Sequence, residues 1–179
     1  MAAKKSLKKK AEFKFFQWLR SGLRSMSRRY PPIYEALAAA KVPYKGSNAR
    51  QKVAYKCAAC GGSEFSSKQV AVDHRVDCGT LQSWGDVKGF MERLFCGKEG
   101  LDVLCNSCHD LKTYSTKYSV TLEEAALAKQ VLEICKWPKR KLLDFIMKEG
   151  YNEQECSNAA KRKKLVEIIL KEKTNVCTN

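Results

Sequence analysis

Two short motifs, Cys57-Ala-Ala-Cys60 and Cys105-Asn-Ser-Cys108, constrain this chain more than any other feature. A C-x-x-C turn aims both of its sulfurs at one point. Two such turns supply four thiolates, the tetrahedral set that zinc prefers. The pattern predicts one structural zinc site with Cys57, Cys60, Cys105 and Cys108 as ligands. Four protein ligands leave no position for water, so such an ion stabilises structure and performs no chemistry. Its binding energy also helps to fold a segment too small for a large core. The plainer reading of the same residues is a set of redox-active or merely buried cysteines. Cys78, Cys96, Cys135, Cys156 and Cys177 lack such pairing and read as buried free thiols.

The cysteines also bear on compartment. There are nine, an odd number that argues against a complete disulfide framework. No secretory signal is visible: the first residues are rich in lysine, and the apolar stretch after them is broken by Lys14 and Arg20. No run approaches the length of a membrane span. The sequence therefore predicts a reducing, intracellular location and no membrane partner. A mitochondrial presequence is the alternative reading of the basic N-terminus.

A length of 179 residues allows one domain with appendages or two small ones. Three regions are expected: a basic helical arm over 1–45, a core carrying the cysteine knuckles over 46–118, and a helical region over 119–179. In the arm, Phe13, Phe16, Leu19 and Leu23 recur at helical spacing across 4–29, with Ser6 as a candidate cap. Phe13, Phe16 and Trp18 are expected to pack against the core. A second helix is expected over 33–40, and 42–50 reads as a linker. Strands are expected near 53–56 and 68–73, a helix over 86–95, and a short apolar run over 101–104. Thr121 and Glu124 form a capping-box pattern before a helix that ends near Cys135. Pro138 opens the next helix, and Ser157 is a candidate cap for the last. The fold class is α+β.

Charge points to the partner. There are 34 basic against 19 acidic residues, a formal net charge of +15. The excess is clustered: Met1 to Tyr30 holds ten Lys and Arg against one acid, Glu12. Such a cluster attracts a polyanion, and DNA is the expected one, probed through phosphate contacts by Arg20, Arg24, Arg28 and Arg29.

Only two histidines occur, His74 and His109. His74 lies in VAVDHR, beside Asp73 and Arg75. His109 follows Cys108 directly, so a zinc ion at the knuckles fixes where it begins. The same ion holds the arm from which the Asp73-His74 strand grows. Asp73, His74 and His109 are therefore expected to enter one cleft. Those groups suit phosphodiester hydrolysis. A neutral imidazole, with an ordinary value of about 6.5, takes a proton from water. A hard divalent cation held by Asp73 and His109 neutralises the phosphate and stabilises the leaving oxygen. Arg75 and Lys112 would hold flanking phosphates. The plain alternative is two histidines packed around the knuckles of a module that only binds DNA.

The pieces CAAC, VAVDHR and LCNSCHDLKT, in that order, resemble the HNH endonuclease family over 53–118. LRSGLRSMSRRYPPIYEALAAA and GFMERLF resemble HNH proteins encoded by tailed bacteriophages. The resemblance implies a small ββα-metal core, a hairpin and helix around a catalytic metal, flanked here by N- and C-terminal helices. It implies His74 as general base, Asp73 and His109 as metal ligands, Mg2+ or a similar cation, and DNA cleavage, in the cytoplasm of a bacterial host if phage-encoded. One position departs from the pattern. Gly100 stands where the family usually carries an Asn that orients the loop of the first histidine; Asn106, Glu99 and Asp102 are the candidate substitutes. The competing expectation is a non-catalytic zinc-dependent DNA-binding or phage assembly protein derived from such a nuclease. KRKLLDFIMKEGY and KKLVEIILK resemble small SAP-type helical DNA-binding modules, beside the plainer reading of a helical cap.

Overall fold

The computed structural model describes residues 2–48 and 50–176, with side chains over 10–48 and 50–173. The chain divides between His109 and Asp110 into two compact units. The first contains helices α1 (Ala2–Ser27) and α2 (Pro31–Ala39), strands β1 (Lys41–Pro43), β2 (Val53–Tyr55) and β3 (Val70–His74), helix α3 (Val87–Leu94) and strand β4 (Leu101–Cys105). Helix α4 (Asn106–Tyr118) carries the chain across the division. The second unit continues with α5 (Leu122–Cys135), α6 (Lys139–Lys148) and α7 (Ala159–Val176). The class is mixed α+β: among the described residues there are seven helices and two two-stranded antiparallel sheets, β1–β2 and β3–β4.

Helix α1 forms because Phe16, Leu19 and Leu23 fall on one face. They bury against Cys78, Leu81 and the Phe90 and Leu94 face of α3. Phe16 is 1% exposed, but Phe13 and Trp18 are 53% and 71% exposed, contrary to expectation. At 100° per residue Trp18 points away from the buried stripe, and α3, only eight residues and about 12 Å long, covers few turns of α1. The helix already runs through Ser6, which therefore does not cap it. Pro31 opens α2 at its first turn, where a missing N–H costs nothing. Helix α2 then lays Ala36, Ile33 and Leu37 on Leu101 and Val103 of β4 and on Val70 and Val72 of β3.

The expected linker supplies β1, which pairs Val42 with Ala54 of β2. In the second sheet Val70 pairs with Cys105 and His74 with Leu101, so β3 ends where β4 starts. Residue spacing did not mark helix α4, since NSCHDLKTYSTKY has no sustained apolar stripe; the HNH resemblance implied a helix after the hairpin.

The second unit is helical, around Val131, Leu142, Ile146, Cys156, Val166 and Ile169. The Thr121 capping box closes as the sequence suggests: the Glu124 N–H donates to Thr121 Oγ1 at 3.1 Å and the Thr121 N–H to Glu124 Oε2 at 2.8 Å. At α7 the cap is Asn158, not Ser157: its Oδ1 accepts from the Lys161 N–H at 2.8 Å. Among the described residues no helix is long and apolar enough to cross a membrane.

Candidate metal centre and histidine site

The two knuckles are built differently. The first follows β2. Its turn closes through the Gly61 N–H to the Cys57 carbonyl at 3.0 Å and the Cys57 N–H to the Gly62 carbonyl at 2.8 Å. Gly61 sits at φ 73°, a conformation that favours glycine. The second knuckle straddles the end of β4 and the first turn of α4. The Ala58 N–H donates to the Val103 carbonyl at 2.8 Å, and the Cys105 N–H to Cys57 Sγ at 3.2 Å. These bonds tie the first turn to the end of the β3–β4 hairpin.

All four sulfurs lie within 4.8 Å of one another. The Cys60 and Cys105 sulfurs are 4.0 Å apart, against about 3.8 Å for the edge of a tetrahedron with metal–sulfur bonds of about 2.3 Å. Burial pushes the Cys57 thiol up, but N–H groups of Cys60, Cys105 and Ala59 donate to its sulfur, and the balance brings it down to about 6. Burial, the hydrogen bonds that the Cys108 S–H donates to the sulfurs of Cys105, Cys57 and Cys60, and the charge of Cys57 drive Cys108 well above the usual thiol range. One thiolate is thus stabilised by the fold, and a neighbour keeps its proton. A dication would let the whole set ionise, so the donor chemistry fits zinc.

Of the unpaired cysteines, Cys78 and Cys156 are buried, while Cys96 and Cys135 are half-buried. Burial raises Cys78, Cys96 and Cys135 above the ordinary thiol value. Cys177 lies outside the described residues.

His74 is the last residue of β3 and falls in line with Val70 and Val72. With them it lines a cavity of about 320 Å³, together with Arg28, Tyr55 and Ile33. Its Nε2 lies 3.0 Å from the Leu94 carbonyl. A carbonyl only accepts, so Nε2 carries the proton, and the ring is held in one tautomer. Leu94 is fixed in turn because α3 buries its apolar face against α1. The N-terminal helix therefore helps to hold the histidine. Residue types give no hint of this contact, since the acceptor is backbone; only the amphipathic spacing of Val87, Phe90 and Leu94 marked the element that supplies it.

Asp73 pairs across the hairpin with Asp102. Strand alternation places these two, with Arg75, on the face opposite His74. Asp73 and His74 stand side by side at the end of β3. Arg75 is exposed and donates from Nε to Asp102 Oδ1 at 2.9 Å, and its N–H donates to the Gly100 carbonyl at 2.9 Å. Asp102 thus anchors the residue that follows His74. Asn106 does something else: its Nδ2 donates to the Lys68 carbonyl at 3.3 Å, beyond the far end of β3. Gly100 has a steric reason to be glycine, because a Cβ there would lie 2.7 Å from Cys96 Sγ.

His109 is half-buried on the first turn of α4, and Lys112 follows one turn later on the same helix. Among the described residues, the group of three or more ligand residues close enough to share an ion is the four cysteines; Asp73, His74 and His109 form no such group. Arg24, Arg28 and Arg29 are exposed. Arg20 is half-buried, and its Nε is withdrawn from solvent without a hydrogen-bond partner.

No family model matches the chain, and no curated protein or solved structure matches it.

Proposed function

We propose that the chain is a divalent-metal-dependent DNA endonuclease of HNH type, with zinc at the four cysteines as scaffold. The observation that carries the reading is the fixed imidazole. His74 ends β3 with Nε2–H committed to the Leu94 carbonyl, which makes Nδ1 the basic nitrogen. The chain order hairpin, cysteine knuckle, helix accords with the resemblance to HNH nucleases. In-line displacement puts the attacking water and the leaving oxygen on opposite sides of phosphorus. A general base and a leaving-group cation therefore need separate positions about the phosphorus, and Asp73 and His74 are adjacent but distinct side chains at the end of β3.

In this reading Asp73 and His109 hold a hard cation such as Mg2+, whose chemistry is to neutralise the phosphate and the leaving oxygen. His74 takes the proton of the attacking water. Arg28, on the wall of the same cavity, holds a phosphate oxygen by charge-assisted hydrogen bonds, and Arg75 and Lys112 hold flanking phosphates. Duplex DNA is the substrate class that the +15 charge favours.

A second reading is supported by Gly100, which offers no side-chain amide in the loop before β4. It is a DNA-binding or phage assembly protein that keeps the scaffold without the chemistry. Supercoiled plasmid incubated with Mg2+ separates the two. The endonuclease converts it to nicked or linear product, and His74→Ala lowers the rate by at least about a hundredfold with zinc content unchanged. Retained DNA binding with no cutting by the wild type, across Mg2+, Mn2+ and Ca2+, would establish the second reading.

A further inference from the structure

We infer that the outer face of α1, with Trp84, is a binding site for single-stranded nucleic acid. Phe16 of the α1 stripe is buried and Leu19 and Leu23 pack partly against the core, yet Phe15, Trp18 and Met26 remain 39%, 71% and 65% exposed, and Trp84 67%. Water-exposed rings of this size are costly to leave uncovered, and here they gather. The Phe15 ring lies 6.1 Å from Trp18 and 5.5 Å from Trp84, with planes tilted by 36° and 40°. Trp84 also stands edge-on to the buried Phe16 at 5.5 Å. Its turn is fixed: the N–H groups of Gln82 and Ser83 and the Ser83 hydroxyl all donate to Asp86 Oδ2, at 3.0, 2.8 and 2.9 Å. The platform is therefore set before any ligand arrives. Beside Trp18 runs a cleft of about 630 Å³ lined by Gly22, Met26 and Arg29 among others. Gly22 opens it, since nothing lies within 4 Å of where its Cβ would be.

Charge selects the occupant. Met1 to Tyr30 carries ten basic residues and one acid, and Lys14, Arg24, Arg28 and Arg29 are exposed. A second copy of the chain would bring the same positive helix against itself. An anionic lipid surface offers phosphates but no planar faces for the tilted ring cluster to stack on. A duplex keeps its base faces stacked. A polyanion with free aromatic faces is a single strand, whose bases stack on side-chain rings while its phosphates meet Lys and Arg. The site stands apart from cleavage, since none of these rings belongs to the histidine cavity.

The test uses the full zinc-bound chain without added Mg2+, with fluorescently labelled oligothymidylate, a duplex of equal length, and phosphatidylserine vesicles as probes. Oligothymidylate should quench tryptophan fluorescence. Trp18→Ala and Trp84→Ala should each weaken its binding about tenfold. Trp18→Phe should restore most of the loss. Both alanine variants should keep the wild-type circular dichroism and zinc content, because both side chains face solvent. Unchanged affinity in both variants would overturn the site, as would tighter binding of the vesicles, or self-association that Trp18→Ala abolishes. Plasmid cleavage by the same variants keeps the two readings separate: the strand-binding defect appears whether or not the wild type cuts.

Discussion

The two units of this chain are held together by different means. The second, from Asp110 onward, has one continuous apolar core fed by three helices, with Ile146 and Val166 at 0% exposure. The first divides its apolar residues among three small clusters, one of which is built around the knuckle cysteines themselves. Two isolated strand pairs cannot bury much surface, and a lone two-stranded hairpin is at best marginal in water. An ion held by the four cysteines would replace the missing core. The comparison teaches where the proposed chemistry would sit: the unit with the thin core is the one whose backbone positions are dictated by a few strong bonds, and it carries both histidines.

The largest expected effect follows from removing the ion. Cys57→Ser, at a fully buried ligand, should abolish zinc binding and the ordered structure of the first unit, because structural zinc contributes on the order of 10 kcal/mol to small metal-held folds. The helices α5 to α7 should persist. Amide hydrogen exchange resolved by peptide checks this: protection should vanish over 53–109 and remain over 122–173. Protection that survives across the knuckles in a zinc-free variant would refute the scaffold. Acid should act in the same direction. The Cys57 value is depressed from the ordinary 9.0 to about 6, so the thiolate's contribution is complete above about 9 and is lost as pH falls through about 6. Protons also compete with zinc for the thiolates, so zinc release to a chromogenic chelator should rise as pH falls.

The middle effect comes from the other side of the comparison. Ile146→Ala leaves a cavity among Val131, Leu142, Val166 and Ile169 and should cost about 3 kcal/mol. The loss should appear as faster exchange over α5 to α7, with zinc content untouched. A drop in zinc affinity of the same size would show that the two units do not keep separate accounts of their stability.

How much of this was legible in the sequence depends on the kind of bond. The four-cysteine cluster was readable because C-x-x-C is a side-chain pattern with one dominant use. The capping box at Thr121 was readable for the same reason. Helix α4 was not readable from spacing, since its first turn is set by the knuckle and its sequence lacks a stripe. The exposure of Trp18 was misread because spacing alone does not say how far a short α3 reaches. The Leu94 carbonyl that holds His74 was invisible: any residue at that position offers the same acceptor.

The smallest effect tests the one departure from the HNH pattern. An Asn at Gly100 would drive its Cβ to 2.7 Å from Cys96 Sγ and 3.0 Å from Cys96 Cβ, an overpacking that costs about 1–3 kcal/mol. Gly100→Asn alone should destabilise the first unit by that amount. Adding Cys96→Ala removes the sulfur, so the double variant should recover most of the loss, a non-additivity that marks direct contact. Cleavage is the sharper readout. The Gly100 carbonyl and the Asp102 carboxylate already hold Arg75, the residue after His74. If those two bonds replace the absent amide, the stable double variant should cut no faster than the wild type, and Asp102→Asn should slow cutting without loss of zinc. A double variant that cuts much faster would mean that the loop before β4 still lacks a group its chemistry needs.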